Sequence, residues 1–349
     1  MSRRLLLPLV PLYAAAAMAK NVLYTHGLLR QKQLASPVIS VGNLSTGGSG
    51  KTPFVLALRD LLAGIGWDAD VLTRGYGRSS SITEKVDPAG TAEHFGDEPL
   101  LLARSGAAVY VGADRYRAGL LAEQQTHKAQ SLHILDDGLQ HRKLARDVEI
   151  ILLLRDDLRD HMLPAGNLRE PISSLRRADI IVLRAEDAGI EAAVKKILGA
   201  SHTPLFWRVQ RTLRFKTIRG ADTPAPPRPL AFCGLARPDD FFQSLRNNGC
   251  DAISTIRFSD HHRYQVPELE ALAARAYARN AGSFVTTAKD ACRLTPDLLA
   301  ILERTAPVIV ADLVTTIQNK EKSSAELAAL LLRAYDARAK GGIDAQSSR

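Results

Sequence analysis

The chain has 349 residues, enough for roughly two domains at about 150 residues each. Its 46% hydrophobic and 24% charged residues exclude a disordered, fibrous or low-complexity chain. Lys and Arg number 46 against 37 Asp and Glu, a net charge of +9, and three scattered cysteines (Cys233, Cys250, Cys292) without a CxxC exclude a disulfide framework or a zinc cluster.

The first element is an apolar N-terminus. Residues 5–19 read LLLPLVPLYAAAAMA, behind Arg3 and Arg4. Fifteen residues fall short of the about 20 that a spanning helix needs, and Pro8 and Pro11 disturb one. No acidic residue precedes Asp60, whereas Arg3, Arg4, Lys20, Arg30, Lys32, Lys51 and Arg59 are cationic. Two readings stay open on this stretch alone: a cleaved secretory signal, or a retained segment lying in an anionic lipid interface. Nucleic acid is the rival partner for basic charge. No basic stripe interleaved with aromatics occurs, and aromatics are only 5% of the chain, which argues against it.

Short branched runs at 38–41, 69–72, 107–111, 132–135, 148–154 and 180–183 then read as strands, with helical patterns at 54–63 and Arg115–Gln125 between them. That alternation predicts βαβ units and a mostly parallel α/β sheet. Residues 38–53 read VISVGNLSTGGSGKTP, a strand that runs into a Gly-rich turn and then a helix. The loop Ser45, Thr46, Gly47, Gly48, Ser49, Gly50 turns backbone N–H groups toward phosphate oxygens. Lys51 reaches the β- and γ-phosphates, Thr52 offers a hydroxyl to Mg²⁺, and Pro53 sits in the first helical turn. The strict G-x-x-x-x-G-K-[ST] pattern fails only at Ser45.

Acidic groups follow at strand ends. LHILDDGLQHR places Asp136 and Asp137 where an Mg²⁺-holding carboxylate belongs, although an Asp-Gly turn also explains the second. Asp97 and Glu98 stand in GDEP, which in isolation is a helix start. Arg74 and Tyr76 stand in RGYG after the second strand, and Arg169 and Glu170 in LPAGNLREP. In open α/β sheets ligands collect outside the carboxyl ends of the strands, so the loop, Arg74 and Asp136 point to one crevice.

Composition shifts over 207–229, an exposed ribbon followed by the Pro-rich ADTPAPPRP. A second α/β pattern follows, with strands at 230–234, 252–258, 283–287 and 307–311 and helices from Pro238 and over 267–280. Its FSDHHRY carries His261 and His262, which lack a third ligand at metal spacing but reach the crevice if two lobes close over it. Residues 339–349 read as a polar, disordered tail.

Together VGNLSTGGSGKTP, LTRGYGR, GDEP, LDDGLQHR, LPAGNLREP, FCGLARPDDFF, FSDHHRY and VTTAKDACRL resemble the tetraacyldisaccharide 4′-kinase family, the lipid A 4′-kinases of Gram-negative bacteria. The family usually has an acidic residue where this chain has Ala288. The resemblance implies a P-loop α/β/α domain joined by a two-stranded ribbon to a smaller α/β domain. The expected division is 1–36 membrane-associated segment, 37–206 P-loop kinase domain, 207–229 ribbon, 230–338 smaller domain and 339–349 tail. It implies transfer of the ATP γ-phosphate to the 4′-hydroxyl of a tetraacylated glucosamine disaccharide 1-phosphate, at the cytoplasmic face of the inner membrane, with no obligatory protein partner. The basic apolar N-terminus then reads as retained rather than cleaved. The resemblance implies Asp97 as general base supported by His261; Lys51 and the loop 45–52 are expected on ATP, Mg²⁺ on Thr52 with Glu98, Asp136 and Asp137 as candidates for the metal and its water shell, and Arg74, Tyr76, His141 and Arg169 on substrate polar groups or phosphate. A membrane-associated P-loop ATPase switch is the competing function. It predicts slow hydrolysis without transfer.

Overall fold

The computed structural model describes residues 3–125, 130–200 and 202–346; the first two residues of the N-terminal segment and the last three of the expected tail lie outside them. Strands, in chain order, are β1 (Val38–Asn43), β2 (Asp68–Thr73), β3 (Glu84–Lys85), β4 (Val109–Val111), β5 (Ser131–Asp136), β6 (Val148–Leu152), β7 (Ile180–Arg184), β8 (Leu205–Thr217), β9 (Asp222–Thr223), β10 (Leu230–Cys233), β11 (Ser254–Arg257), β12 (Phe284–Thr287) and β13 (Val308–Ile317). Helices are α1 (Val10–Thr25), α2 (Lys51–Gly64), α3 (Ala92–Phe95), α4 (Asp97–Arg104), α5 (Arg115–Gln125), α6 (Glu191–Leu198), α7 (Pro238–Asn247), α8 (Val266–Ala278), α9 (Ala288–Ala291), α10 (Pro296–Glu303) and α11 (Lys320–Gln346).

The strands form one 13-stranded sheet in the order β11-β10-β12-β13-β8-β7-β6-β1-β5-β2-β4-β3, with β9 beside β8. Pairing is parallel except for β13 with β8, β8 with β9, and β3 with β4. The apolar strands alternate between two cores, as period-two side chains must. Ile150, Leu152, Ile180 and Val182 pack with Phe54 and Leu58 of α2 on one face. Ile151, Leu153, Ile181 and Leu183 pack with Val194 and Leu198 of α6 on the other. Each such side chain is worth about 1.5–3 kcal/mol when fully buried.

The ribbon joining the two lobes is β8 with β13, 91 residues apart along the chain between Thr217 and Val308. Residues 205–209 of β8 lie parallel to β7, and 209–217 lie antiparallel to β13. The expected ribbon, 207–229, therefore holds one of the two long strands: its partner β13 lies in the stretch expected in the smaller domain, and within the Pro-rich segment Asp222–Thr223 adds a short antiparallel pairing to β8. A second correction concerns α11. Residues 320–338 were expected in the smaller domain, yet Leu327 and Leu331 join the core of Phe54 and Trp207. Trp207 Nε1 donates to Glu326 at 2.8 Å, and Arg338 forks Asp147 at 2.7 and 2.6 Å. The cause is topological: β13 runs back along β8 and returns the chain to the first lobe. The helix also continues through Gln346, into the stretch expected as a disordered tail. Of that stretch Ala339, Lys340, Ala345 and Gln346 favour helix, and Gly341 and Gly342 do not end it.

At the N-terminus a 3₁₀ turn, Arg3–Leu9, runs into α1. Pro11 falls in the first turn of α1, where a missing N–H costs nothing. The helical stretch Leu5–Thr25 has 21 residues and a mean hydropathy of 1.5, long and apolar enough to cross a membrane by length and composition. The fifteen-residue reading was too short because the helix continues past Ala19. The inner side of α1 is docked: Asn21 donates to Glu170 at 3.0 Å, and Lys20 donates to the Gln140 carbonyl at 3.1 Å. Leu5, Leu9, Leu12, Met18 and Val22 remain exposed.

Candidate active site

All six residues of β1 are buried, which fixes the root of the Gly-rich loop. Gly47 and Gly50 have φ of 96° and 86°, a region that favours glycine, and α2 starts at Lys51. The segment LPAGNLREP holds this loop from one side. Thr46 N donates to the Asn167 carbonyl at 2.8 Å and Arg169 N to the Leu44 carbonyl at 2.7 Å. Arg169, expected on substrate polar groups or phosphate, lines the cleft and spends its guanidinium on Asp137, at 2.9 and 2.8 Å, and on Asn43 Oδ1 at 2.7 Å. Lys51 Nζ shares the same partners, 2.9 Å from Asn43 Oδ1 and 3.3 Å from Asp137 Oδ1.

The two adjacent aspartates are thereby driven apart. Burial opposes charge on Asp137, but Arg169 and Lys51 outweigh it and hold the carboxylate well below its usual range. Burial, then Glu98 and Asp137, pushes Asp136 up to about 7. Asp136 Oδ2 accepts from Thr73 at 3.3 Å, while its Oδ1 is buried without a partner. An orphaned carboxylate oxygen at a strand end, with the half-buried Glu98 and the Thr52 hydroxyl on the same cleft wall, is a hard-oxygen set suited to Mg²⁺. Asp137 is the poorer candidate, because its oxygens are already bonded. Among the described residues no group of three His, Cys, Asp or Glu is arranged to hold a metal alone. Mg²⁺ is commonly bound by one or two carboxylates together with water and phosphate.

The GDEP carboxylates open α4 and meet cations of the second lobe. His261 Nδ1 lies 2.8 Å from Asp97 Oδ2. Arg293 donates to the same oxygen from Nε at 2.9 Å and Nη2 at 2.5 Å. Burial opposes the Asp97 charge, but these partners hold its pKa below the ordinary value, while the Asp97 bond raises His261. Lys289 pairs with Glu98 in the same way. Of the two candidate histidines only His261 reaches the first lobe; His262 pairs with Glu268 at 2.9 Å and stacks on Phe258.

These groups surround one cleft of about 1170 Å³ between the lobes. Residues 46–52, Arg74, Tyr76, Glu98, Asp136 and His141 line one wall, and Leu235, Phe241, His261 and Lys289 the other. Asp97 does not line it and is reached through His261. The ring of Tyr76 stands 5.7 Å from that of His261. Burial, then Arg115, lowers His141 to about 4, so it is neutral at pH 7.

The family model for tetraacyldisaccharide-1-P 4′-kinase matches residues 2–332. The chain belongs to that family. A tetraacyldisaccharide 4′-kinase of Koribacter versatilis is 40% identical over 334 residues, covering 93% of this chain and 98% of the relative. That of Geobacter metallireducens is 38% identical over 305 residues, covering 82% and 87%. A crystal structure of LpxK from Aquifex aeolicus, described as the "apo" form in complex with ATP, superposes with a TM-score of 0.75 at 33% identity, covering 94% of this chain and 99% of that one. The α/β P-loop fold with a second α/β unit agrees with the sequence reading.

Within this tetraacyldisaccharide 4′-kinase family member, Arg293 and Arg115 escaped the sequence reading. Arg293 lies in VTTAKDACRL, a matched stretch whose only visible signal was its place in the motif order. Asp290, fully buried, accepts from Tyr264 at 2.9 Å, Thr287 at 2.6 Å, Gly234 N at 3.0 Å and Arg293 at 3.1 Å. It fixes the arginine that grips Asp97.

Proposed function

We propose that this chain transfers the γ-phosphate of ATP to the 4′-hydroxyl of tetraacyldisaccharide 1-phosphate, a step of lipid A biosynthesis. One observation carries the site assignment: the phosphate loop of one lobe and the Asp97–His261 pair, built from both, meet on one cleft. The loop N–H groups and Lys51 hold the phosphates and balance charge that develops in transfer. The acceptor hydroxyl sheds its proton to the Asp97–His261 pair, which acts as one unit through its 2.8 Å bond. Such a base is worth about 10²–10⁴-fold in rate. Arg169 keeps Asp137 charged yet satisfied and positions Lys51 through Asn43. Thr52, Asp136 and Glu98 would hold Mg²⁺, which would supply neutralisation of phosphate charge. Arg74, Tyr76 and His141 face the acceptor.

The exposed face of Leu5–Thr25 seats the enzyme on the cytoplasmic face of the inner membrane, where ATP is present. We divide the chain into a membrane-associated segment through residue 36, a kinase lobe of 37–206 completed by α11, and a smaller lobe reached through the β8–β13 ribbon.

The test is ATP consumption with and without a tetraacyldisaccharide 1-phosphate in mixed micelles. Lipid-dependent consumption with 4′-phosphorylated product supports the proposal. Equal hydrolysis in both arms, with no product, overturns it in favour of an ATPase switch. Lys51→Ala lowers turnover about 10²–10³-fold on this reading, and a folded Lys51→Ala enzyme within a few-fold of wild type removes the phosphate-loop assignment.

A further inference from the structure

Two arginines converge on the loop without a role in the scheme above. Arg184 ends β7, in register with Val209 of β8, and Arg211 lies two residues further along β8. By strand alternation both project from the face that α2 covers, one step beyond the core residues Val182 and Val209. Both line the cleft with Ser49, Gly50 and Pro53, and Arg211 Nη1 lies 4.0 Å from where a Cβ on Gly50 would stand.

Their hydrogen bonds are incomplete. Nε and Nη2 of Arg184, and Nε of Arg211, are buried without a partner. The ion pair nearest to them, Arg211 with Glu186, is long at 3.4 Å, and that glutamate side chain is 58% exposed. Burying guanidinium donors unmet, with two like charges side by side, is costly for a folded protein. An anion between them removes both costs. The loop has a complementary shortage. A helix N-terminus offers its first N–H groups to an anion, but the third residue of α2 is Pro53, which has none.

We propose that Arg184 and Arg211 form a guanidinium pair that binds the phosphate chain of ATP at the helix end of the loop, supplying donors that Pro53 cannot. This rests on the ATP-dependent reading of the cleft. It also places a phosphate contact on the ribbon itself, since Arg211 pairs in register with Thr315 of β13.

The experiment measures binding of ATP, inorganic tripolyphosphate and adenosine to the full chain in detergent micelles, for wild type, Arg184→Gln, Arg211→Gln and the double variant. Each single change is expected to weaken ATP and tripolyphosphate alike, by about tenfold or more, and to leave adenosine unchanged. Arg184→Lys, which keeps charge but not the planar fork, should fall between wild type and Arg184→Gln, and serves where the glutamine variant fails to fold. Loss confined to ATP, with tripolyphosphate unaffected, means that the arginines read the nucleoside and overturns the proposal. Unchanged binding with a lowered melting temperature makes them a brace for the loop and also overturns it. A wild-type chain that binds no ATP would instead refute the ATP-dependent reading.

Discussion

Replacing Arg293 by Gln tests the contact that joins the lobes at the reacting centre. The arginine is 6% exposed, Asp97 12% and Asp290 0%. Its removal leaves two buried carboxylates short of a cation. Asp290 keeps Tyr264, Thr287 and Gly234 N, and Asp97 keeps only His261. Breaking one side of a buried pair costs about 3–5 kcal/mol, and the surviving partners place this case toward the lower end, about 3 kcal/mol. That penalty has two outlets. Either urea unfolding shifts by that amount, or the lobes part and rehydrate Asp97, which raises the radius of gyration in solution scattering and lowers kcat. On an Asp97→Asn background the arginine has less charge to satisfy, so the same substitution should cost less than half as much. An Arg293→Gln enzyme with unchanged unfolding, radius and kcat would refute the reasoning. So would one whose loss is the same with and without the Asp97 carboxylate.

Three further outcomes follow. His261→Ala should lower kcat by about 10²-fold or more while titration shows ATP affinity within a few-fold of wild type; lost affinity with intact turnover at saturation would make it a binding residue. Deleting residues 1–19 should weaken binding to anionic liposomes, by about 1 kcal/mol per basic residue at the surface plus the lost apolar burial, and salt should weaken the full chain's binding; equal binding of both chains removes the membrane role of this segment. Buried His133 is opposed by desolvation but raised by Asp70, at 2.6 Å, and Glu123, from 6.5 to about 9. A raised folded-state value means stability fully present below pH 6.5 and lost as pH rises through about 9. The loss is at most about 3 kcal/mol, and an identical pH dependence of urea midpoints in wild type and His133→Asn contradicts it.

The elements that carry the phosphate loop were legible because local rules decide them. Branched runs made β1, β5 and β6, and Gly50-Lys51-Thr52 marked a loop entering a helix. The pairing of Asp97 with His261 was reached only through the family resemblance. Arg293 was not reached at all, since it meets Asp97 across 196 residues and no periodicity encodes such a contact. The partners of Arg169 were missed for a related reason: a loop arginine looks free in sequence, and only the fold shows Asp137 and Asn43 facing it. Likewise the apolar run at the N-terminus was cut at Ala19 because Lys20 and Asn21 are polar, although they are the residues that dock α1 onto Gln140 and Glu170.

The return of α11 to the first lobe bears on how the chain is made. Everything between β8 and β13 is, in topology, an insertion into a kinase lobe whose core side chains Leu327 and Leu331 are translated only after the whole inserted lobe. A ribosome that has delivered β1 through β7 has delivered most of that lobe but not its lid, and Phe54, Trp207 and Val209 stay partly uncovered until α11 emerges. The inserted lobe has cores of its own around Phe232 and Phe241 and is complete sooner. The nascent enzyme therefore finishes its second lobe before its first. A premature stop after β13 yields a chain with every residue of the proposed phosphate and proton-transfer machinery, and an open hydrophobic seam where Leu327 and Leu331 belong.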